Sequence, residues 1–266
     1  MANPIVSQFK DEEKEAVATL KAELDDILTA SELEEGYKLW DVPLSKTSED
    51  ERLDVILIKF LRARNLSCPD AKAQLISMLK WRKEFKADTI LTETFPAETF
   101  SKLGFIHSVD SFNRPVTYNL YGAESSAEAF SDLDRFIRWR VQLMEKGIRQ
   151  LDFVNTDSMV QVHDYAGVGF GSYDKNTKQA SKAVTALMQD NYPEFLAVKY
   201  FINVPWWGDV VFKFISVFLS EQTKKKFIVA TSGGTHAALS RLINEENLPT
   251  FYGGKSVVPG FEDKNV

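Results

Sequence analysis

One cysteine, Cys68, and three histidines are all the sulfur and imidazole metal ligands that 266 residues contain. A lone thiol excludes an internal disulfide and any multi-cysteine metal site, which fits a reducing compartment. Positive charge is short as well. With 32 Lys and Arg against 38 Asp and Glu, the formal net charge is −6, which argues against attraction of the whole protein to nucleic acid. A local basic patch could still meet an anionic membrane. No segment reaches the roughly 18 uninterrupted apolar residues of a spanning helix, and residues 1–11 lack the basic start and apolar run of a signal peptide. These absences predict a cytoplasmic chain, or one held peripherally on a membrane. Catalytic signatures are missing too. There is no Ser/His/Asp order with a nucleophile elbow, and Thr231-Ser232-Gly233-Gly234-Thr235-His236 lacks the Walker lysine and reads as a capped strand-to-helix turn. The chain is expected to bind and not to catalyse.

What is present is an ordinary globular composition, 44% hydrophobic and 26% charged, on a chain long enough to bury a large core. Apolar residues recur at spacings of three and four through Val17, Leu20, Leu24 and Ile27, again through Leu53, Ile56, Leu57, Phe60 and Leu61, and again through Leu75, Met78, Leu79 and Trp81. This predicts an all-helical N-terminal subdomain, 1–95, ahead of a second domain, 96–266. From Phe105 the period becomes two, and strands 105–109 and 116–120 flank a turn-rich link. Helices are expected at 131–150, 176–188, 207–219 and 236–244, and strands at 158–165, 198–204 and 227–231. Alternating strands and helices predict an α/β domain, and the tight first connection makes the sheet mixed.

Several segments carry a family resemblance. They are Phe60-Leu61-Arg62-Ala63-Arg64, Trp81-Arg82-Lys83-Glu84-Phe85, Asn113-Arg114-Pro115-Val116, Tyr192-Pro193-Glu194, Phe201-Ile202-Asn203-Val204-Pro205 and Tyr252-Gly253-Gly254. In this order they resemble the CRAL-TRIO lipid-binding domain, in particular its phosphatidylinositol transfer branch. The resemblance implies a helical bundle beside a mixed sheet flanked by helices, with a lipid pocket between the sheet and a mobile gate helix. Residues 207–219, apolar almost all round, match that gate, and Trp206 and Trp207 at its start would suit a membrane interface. The resemblance further implies a headgroup site of Arg64, Glu194, Thr223 and Lys226. Arg64 and Lys226 would donate to the phosphate and Glu194 would accept from inositol hydroxyls. The implied partners are phosphatidylinositol, the cytosolic face of the endoplasmic reticulum or another membrane, and a lipid kinase.

One strand departs from the family pattern. In Gln161-Val162-His163-Asp164-Tyr165-Ala166-Gly167, Tyr165 stands where the family usually has leucine, and His163 is a second unusual group. Alternation puts Gln161, His163 and Tyr165 on one face and Val160, Val162 and Asp164 on the other. A tyrosine oxygen can serve as an axial ligand of ferric haem, with a nearby histidine accepting the phenol proton. The strand, with Leu143-Met144-Glu145-Lys146-Gly147, is similar to a haem-binding fungal subgroup. That likeness implies haem b held by Tyr165, with His163 in support and Arg64 on a propionate. A His–Tyr pair that satisfies itself, or binds a polar lipid group, is the simpler alternative. Lipid transfer alone, or a dedicated haem protein, therefore stand beside a pocket serving both.

Overall fold

The structure, a computed structural model, describes residues 2–123, 125–169, 174–205 and 225–262. Contacts divide the chain into two compact units. One comprises Met1–Thr92, Ile148–Asp157 and Val184–Phe195, and the other Glu93–Gly147, Ser158–Ala183 and Leu196–Val266. Neither is a continuous stretch.

The first unit is built on α1 (Asp11–Ala22), α2 (Leu24–Ala30), α3 (Arg52–Ala63) and α4 (Cys68–Phe85). Helix α1 begins where the Glu13 carboxylate accepts from the Lys10 backbone N–H at 3.0 Å, and three acidic residues occupy its first turn, complementing the helix dipole. The residues with helical spacing are the ones buried: Leu20, Leu24, Ile27, Leu53, Ile56, Leu57, Phe60, Leu61, Leu75, Met78 and Leu79. A two-residue antiparallel ladder of β1 (Lys38–Leu39) and β2 (Val42–Pro43) is added to these helices. Its turn residues Trp40 and Asp41 both have positive φ. Trp40 sits among the rings of Phe153, Tyr192 and Phe195, which come from the two later segments of the unit.

The second unit carries a five-stranded sheet in the order β3 (Gly104–Val109), β4 (Pro115–Leu120), β5 (Met159–Asp164), β6 (Leu196–Ile202), β7 (Phe227–Val229). Strands β3 and β4 are antiparallel and every later pairing is parallel, the mixed sheet that the short first link required. The helix expected at 131–150 is α7 (Leu133–Ile148), and two short helices that the periodicity did not reveal precede it, α5 (Ala97–Phe100) and α6 (Ser126–Ser131). Asp132 separates α6 from α7: its φ of −108° and ψ of 85° are not helical, and its side chain accepts from the Arg135 N–H at 3.1 Å, the N-cap role for which aspartate is suited. After α8 (Lys175–Asn191) and β7 comes α9 (Thr235–Leu239). It is shorter than the expected helix because the chain tightens at once, with the Leu242 N–H returning to the Leu239 carbonyl at 3.1 Å. The expected gate helix, 207–219, and Thr223 lie outside the described residues.

Candidate functional site

The parallel register sets side chains in rows across the sheet. Val116, Val160 and Val198 form one row, and Tyr118, Val162 and Tyr200 the next. These rows belong to the apolar face, where Leu239, Ile243, Leu248 and Tyr252 close the core. Full burial of each such side chain is worth roughly 1.5–3 kcal/mol. On the same face Asp164 is fully enclosed and satisfied. It accepts from Asn203 Nδ2 and Tyr252 Oη at 2.7 Å each and from the Ala166 N–H at 2.8 Å, and Thr235 Oγ1 donates to Asn203 Oδ1 at 2.9 Å. Two of the family-like motifs, those of Asn203 and Tyr252, therefore meet the departing strand in one buried structural network.

The opposite face is polar. Thr117, Gln161 and Lys199 share a row, and Asn119, His163 and Phe201 the next. Tyr121 and Tyr165 follow β4 and β5, with rings 5.2 Å apart, and the Tyr165 N–H continues the ladder onto the Ile202 carbonyl. Phe201 adds a third ring, 6.3 Å from Tyr165 and 5.6 Å from His163. Helix α7 presents Arg140, Leu143 and Met144 to a small cavity also lined by Thr117, Asn119, Met159 and Gln161. Gly147 continues that stripe and allows close approach, since a Cβ there would meet the Met159 methyl at 3.0 Å.

Electrostatics distinguish this face from a core. Arg140 is buried, yet its Nε and Nη1 have no hydrogen-bond partner among the described residues, and Asn119 Oδ1 has none either. Unpaired buried polar groups of this kind are rare in native proteins and are costly. Burial lowers the Arg140 pKa, and Tyr121 partly offsets this. Burial and the Arg140 charge bring Lys199 down to about 7. Burial, then Lys199, then Arg140 hold His163 well below its usual range, so its imidazole is neutral. His163 Nδ1 lies 2.8 Å from Tyr121 Oη and its Nε2 lies 3.4 Å from Gln161 Oε1. This pattern assigns the ring proton to Nε2, which leaves Nδ1 to accept from Tyr121. Two cations, a neutral imidazole and three aromatic rings thus share one sheet face.

The residues expected from the sequence are placed as follows. His163 is buried and Tyr165 half-buried on this polar face. Arg64 caps the end of α3, exposed, and its side chain makes a long hydrogen bond, 3.5 Å, to the Ala63 carbonyl. Its neighbour Arg62 is instead tied to Glu13 at 2.7 Å. Glu194 belongs to the same unit as Arg64 and has a φ of +55°. Lys226, half-buried, belongs to the sheet unit, where its carbonyl accepts from the Lys199 N–H at 2.8 Å. His107 and His236 make structural contacts to Ser256 and Glu245. Sequence reasoning missed Tyr121, Arg140 and Lys199. The signal for Arg140 was present, because it occupies the first place of an i, i+3, i+4, i+7 stripe completed by Leu143, Met144 and Gly147, where a charge contradicts the pattern. Lys199 was legible only through the register that sets it beside Gln161.

The comparisons with known proteins agree with this architecture. The model of the CRAL/TRIO N-terminal domain matches residues 9–77, and that of the CRAL/TRIO domain matches residues 99–254. Patellin-6 of Arabidopsis thaliana is 35% identical over 94% of this chain and 61% of its own length, and the chain spans about half the length of the patellins it matches. The phosphatidylinositol transfer protein SFH5 of Kluyveromyces lactis is 35% identical over 96% of this chain and 86% of its own. The crystal structure of Sfh5 superposes with a TM-score of 0.79 at 32% identity, covering 96% of this chain and 89% of that one. No described helix is long and apolar enough to cross a membrane. With the family model covering more than half of the residues and the mixed sheet in place, this chain belongs to the CRAL/TRIO family.

Proposed function

We propose that this chain carries phosphatidylinositol between membranes and that the polar sheet face also accommodates ferric haem b. The printed names of the SFH5 relatives support the first part. The single observation that carries the second is the buried Arg140 guanidinium, two of whose nitrogens have no hydrogen-bond partner among the described residues, facing Thr117, Asn119 and Gln161 of the polar sheet face. An amphiphile with acidic groups answers both features. Carboxylates or a phosphate satisfy Arg140 and Lys199, and a flat or greasy body covers Phe201, Tyr121 and Tyr165.

For the lipid, Arg64 and Lys226 donate to the phosphate, Thr223 adds a hydroxyl donor and Glu194 accepts from the inositol hydroxyls. For haem, the residues fit: Tyr165 would offer a phenol oxygen, His163 would support it through the Tyr121 ring that lies between the two, its Nδ1 accepting from Tyr121, and Arg140 and Lys199 would suit the two propionates. Arg140 takes the role that Arg64 was expected to fill. Ferric iron, when bound, supplies the charge that lets a phenol of ordinary pKa near 10 ionise at neutral pH. The chain acts in the cytoplasm, touching the endoplasmic reticulum or another membrane peripherally, where it delivers lipid or presents it to a lipid kinase.

Titration of the purified chain with ferric haem tests the reading. We expect a Soret band that is lost in Tyr165→Phe, and an Arg140→Met chain that binds roughly tenfold or more weakly while melting higher when empty, since an unpaired buried charge has gone. Absence of the band leaves phosphatidylinositol transfer between vesicles as the sole function. If vesicle transfer is also absent, the lipid reading fails as well.

A further inference from the structure

We propose that Lys59 is a positioning residue for the phosphatidylinositol headgroup, acting through the main chain of Glu194. This rests on the reading of Glu194 as the headgroup acceptor. Lys59 lies in the apolar row of α3, between Ile58 and Phe60, and only 1% of its side chain is exposed. Its ammonium donates to the Asp157 carbonyl at 2.6 Å, to Asp157 Oδ2 at 2.9 Å and to the Glu194 carbonyl at 3.1 Å. It also sits 4.6 Å from the centre of the Phe195 ring. One buried cation therefore joins all three chain segments of the helical unit.

Two observations assign this contact more than a packing role. Glu194 is neither glycine nor asparagine, yet it adopts a φ of +55°, a left-handed conformation that costs a non-glycine residue about 1 kcal/mol and persists only where the surroundings hold it. The Lys59 ammonium is bound to the carbonyl of that same residue at 3.1 Å and so restrains this peptide directly. An ammonium needs three acceptors, and a buried one is costly when any is missing. Asp157 supplies two of them, so the third fixes the Glu194 peptide. Hydrophobic packing would be served better by methionine at position 59, and the retained charge points to the geometry it imposes.

The test is extraction of labelled lipid from phosphatidylcholine vesicles doped with phosphatidylinositol, read as the ratio of phosphatidylinositol to phosphatidylcholine taken up. Lys59→Met, Glu194→Ala, their double variant and Asp157→Asn are compared. We expect Lys59→Met and Glu194→Ala each to lower the ratio by roughly tenfold, the worth of one hydrogen bond to a charged group, with no further loss in the double variant. Asp157→Asn removes the ion pair but leaves the bond to Glu194, so it loses thermal stability and keeps the ratio. Lys59→Gln repeats the measurement if Lys59→Met does not fold. A folded Lys59 variant with an unchanged ratio beside a defective Glu194→Ala overturns the proposal. So does Asp157→Asn losing the ratio equally, or the failure of both Lys59 variants to fold, since each assigns Lys59 to the scaffold alone. An unchanged ratio in Glu194→Ala removes the headgroup reading itself.

Discussion

Among single residues, Lys199 gives the clearest handle on the pocket. Its pKa near 7, against an ordinary 10.5, means that between these values the unfolded chain holds a proton that the folded chain has released. Stability of the unliganded chain therefore rises with pH from about 7 towards 10.5. An acidic ligand prefers the charged amine, so its affinity falls over the same rise. Melting temperature and ligand affinity measured across that window should move in opposite directions, and Lys199→Met should flatten both. His163, already neutral, takes no part. Residue identity alone could not disclose this, because Lys199 sits in an alternating strand like any half-exposed lysine, and it is burial, together with the arginine on the helix above, that depresses it.

At the scale of elements, the strands and helices follow from periodicity, and the departures are where a polar side chain competes with it. The Asp132 carboxylate caps the start of the expected helix α7 and sets it off from the unforeseen α6. The motif around Asp164 shows the same competition in a different form. Asn203 and Tyr252 are conspicuous in the sequence, and they prove to be partners of one buried carboxylate, which the spacing of residues 164, 203 and 252 along the chain does not reveal. Tyr252→Phe removes the 2.7 Å donor to Asp164 Oδ2 at little change in volume. The expected cost is about 1–3 kcal/mol, read from denaturant unfolding, with any ligand binding at the polar face unchanged because this network lies on the opposite face of the sheet. The rows of the polar face were half legible: alternation gave Gln161, His163 and Tyr165, while Tyr121 and Lys199 needed the register of neighbouring strands.

For the whole molecule, the sequence divides into a helical N-terminal part and an α/β part, but the contacts do not respect that division. The helical unit takes in Ile148–Asp157 and Val184–Phe195 as well. Asn3 Nδ2 donates to the Phe153 carbonyl at 2.8 Å, Gln74 Nε2 to the Asp190 carbonyl at 3.0 Å, and Lys59 reaches Asp157 and Glu194. Such long-range partners carry no local periodicity, so no reading of residues 1–92 by themselves would find them. A fragment ending at Thr92 lacks the acceptors for its buried lysine and the rings around Trp40, and is expected to melt without a cooperative transition by circular dichroism, while the full chain melts cooperatively.

The same discontinuity sets an order of events during synthesis. The helices of residues 11–85 cannot complete their own unit until residue 195 has emerged, more than a hundred residues later. By then much of the sheet sequence has already been made. Helices made before the sheet are thus finished only after most of it, and through that interval their apolar faces depend on whatever shelters a nascent chain.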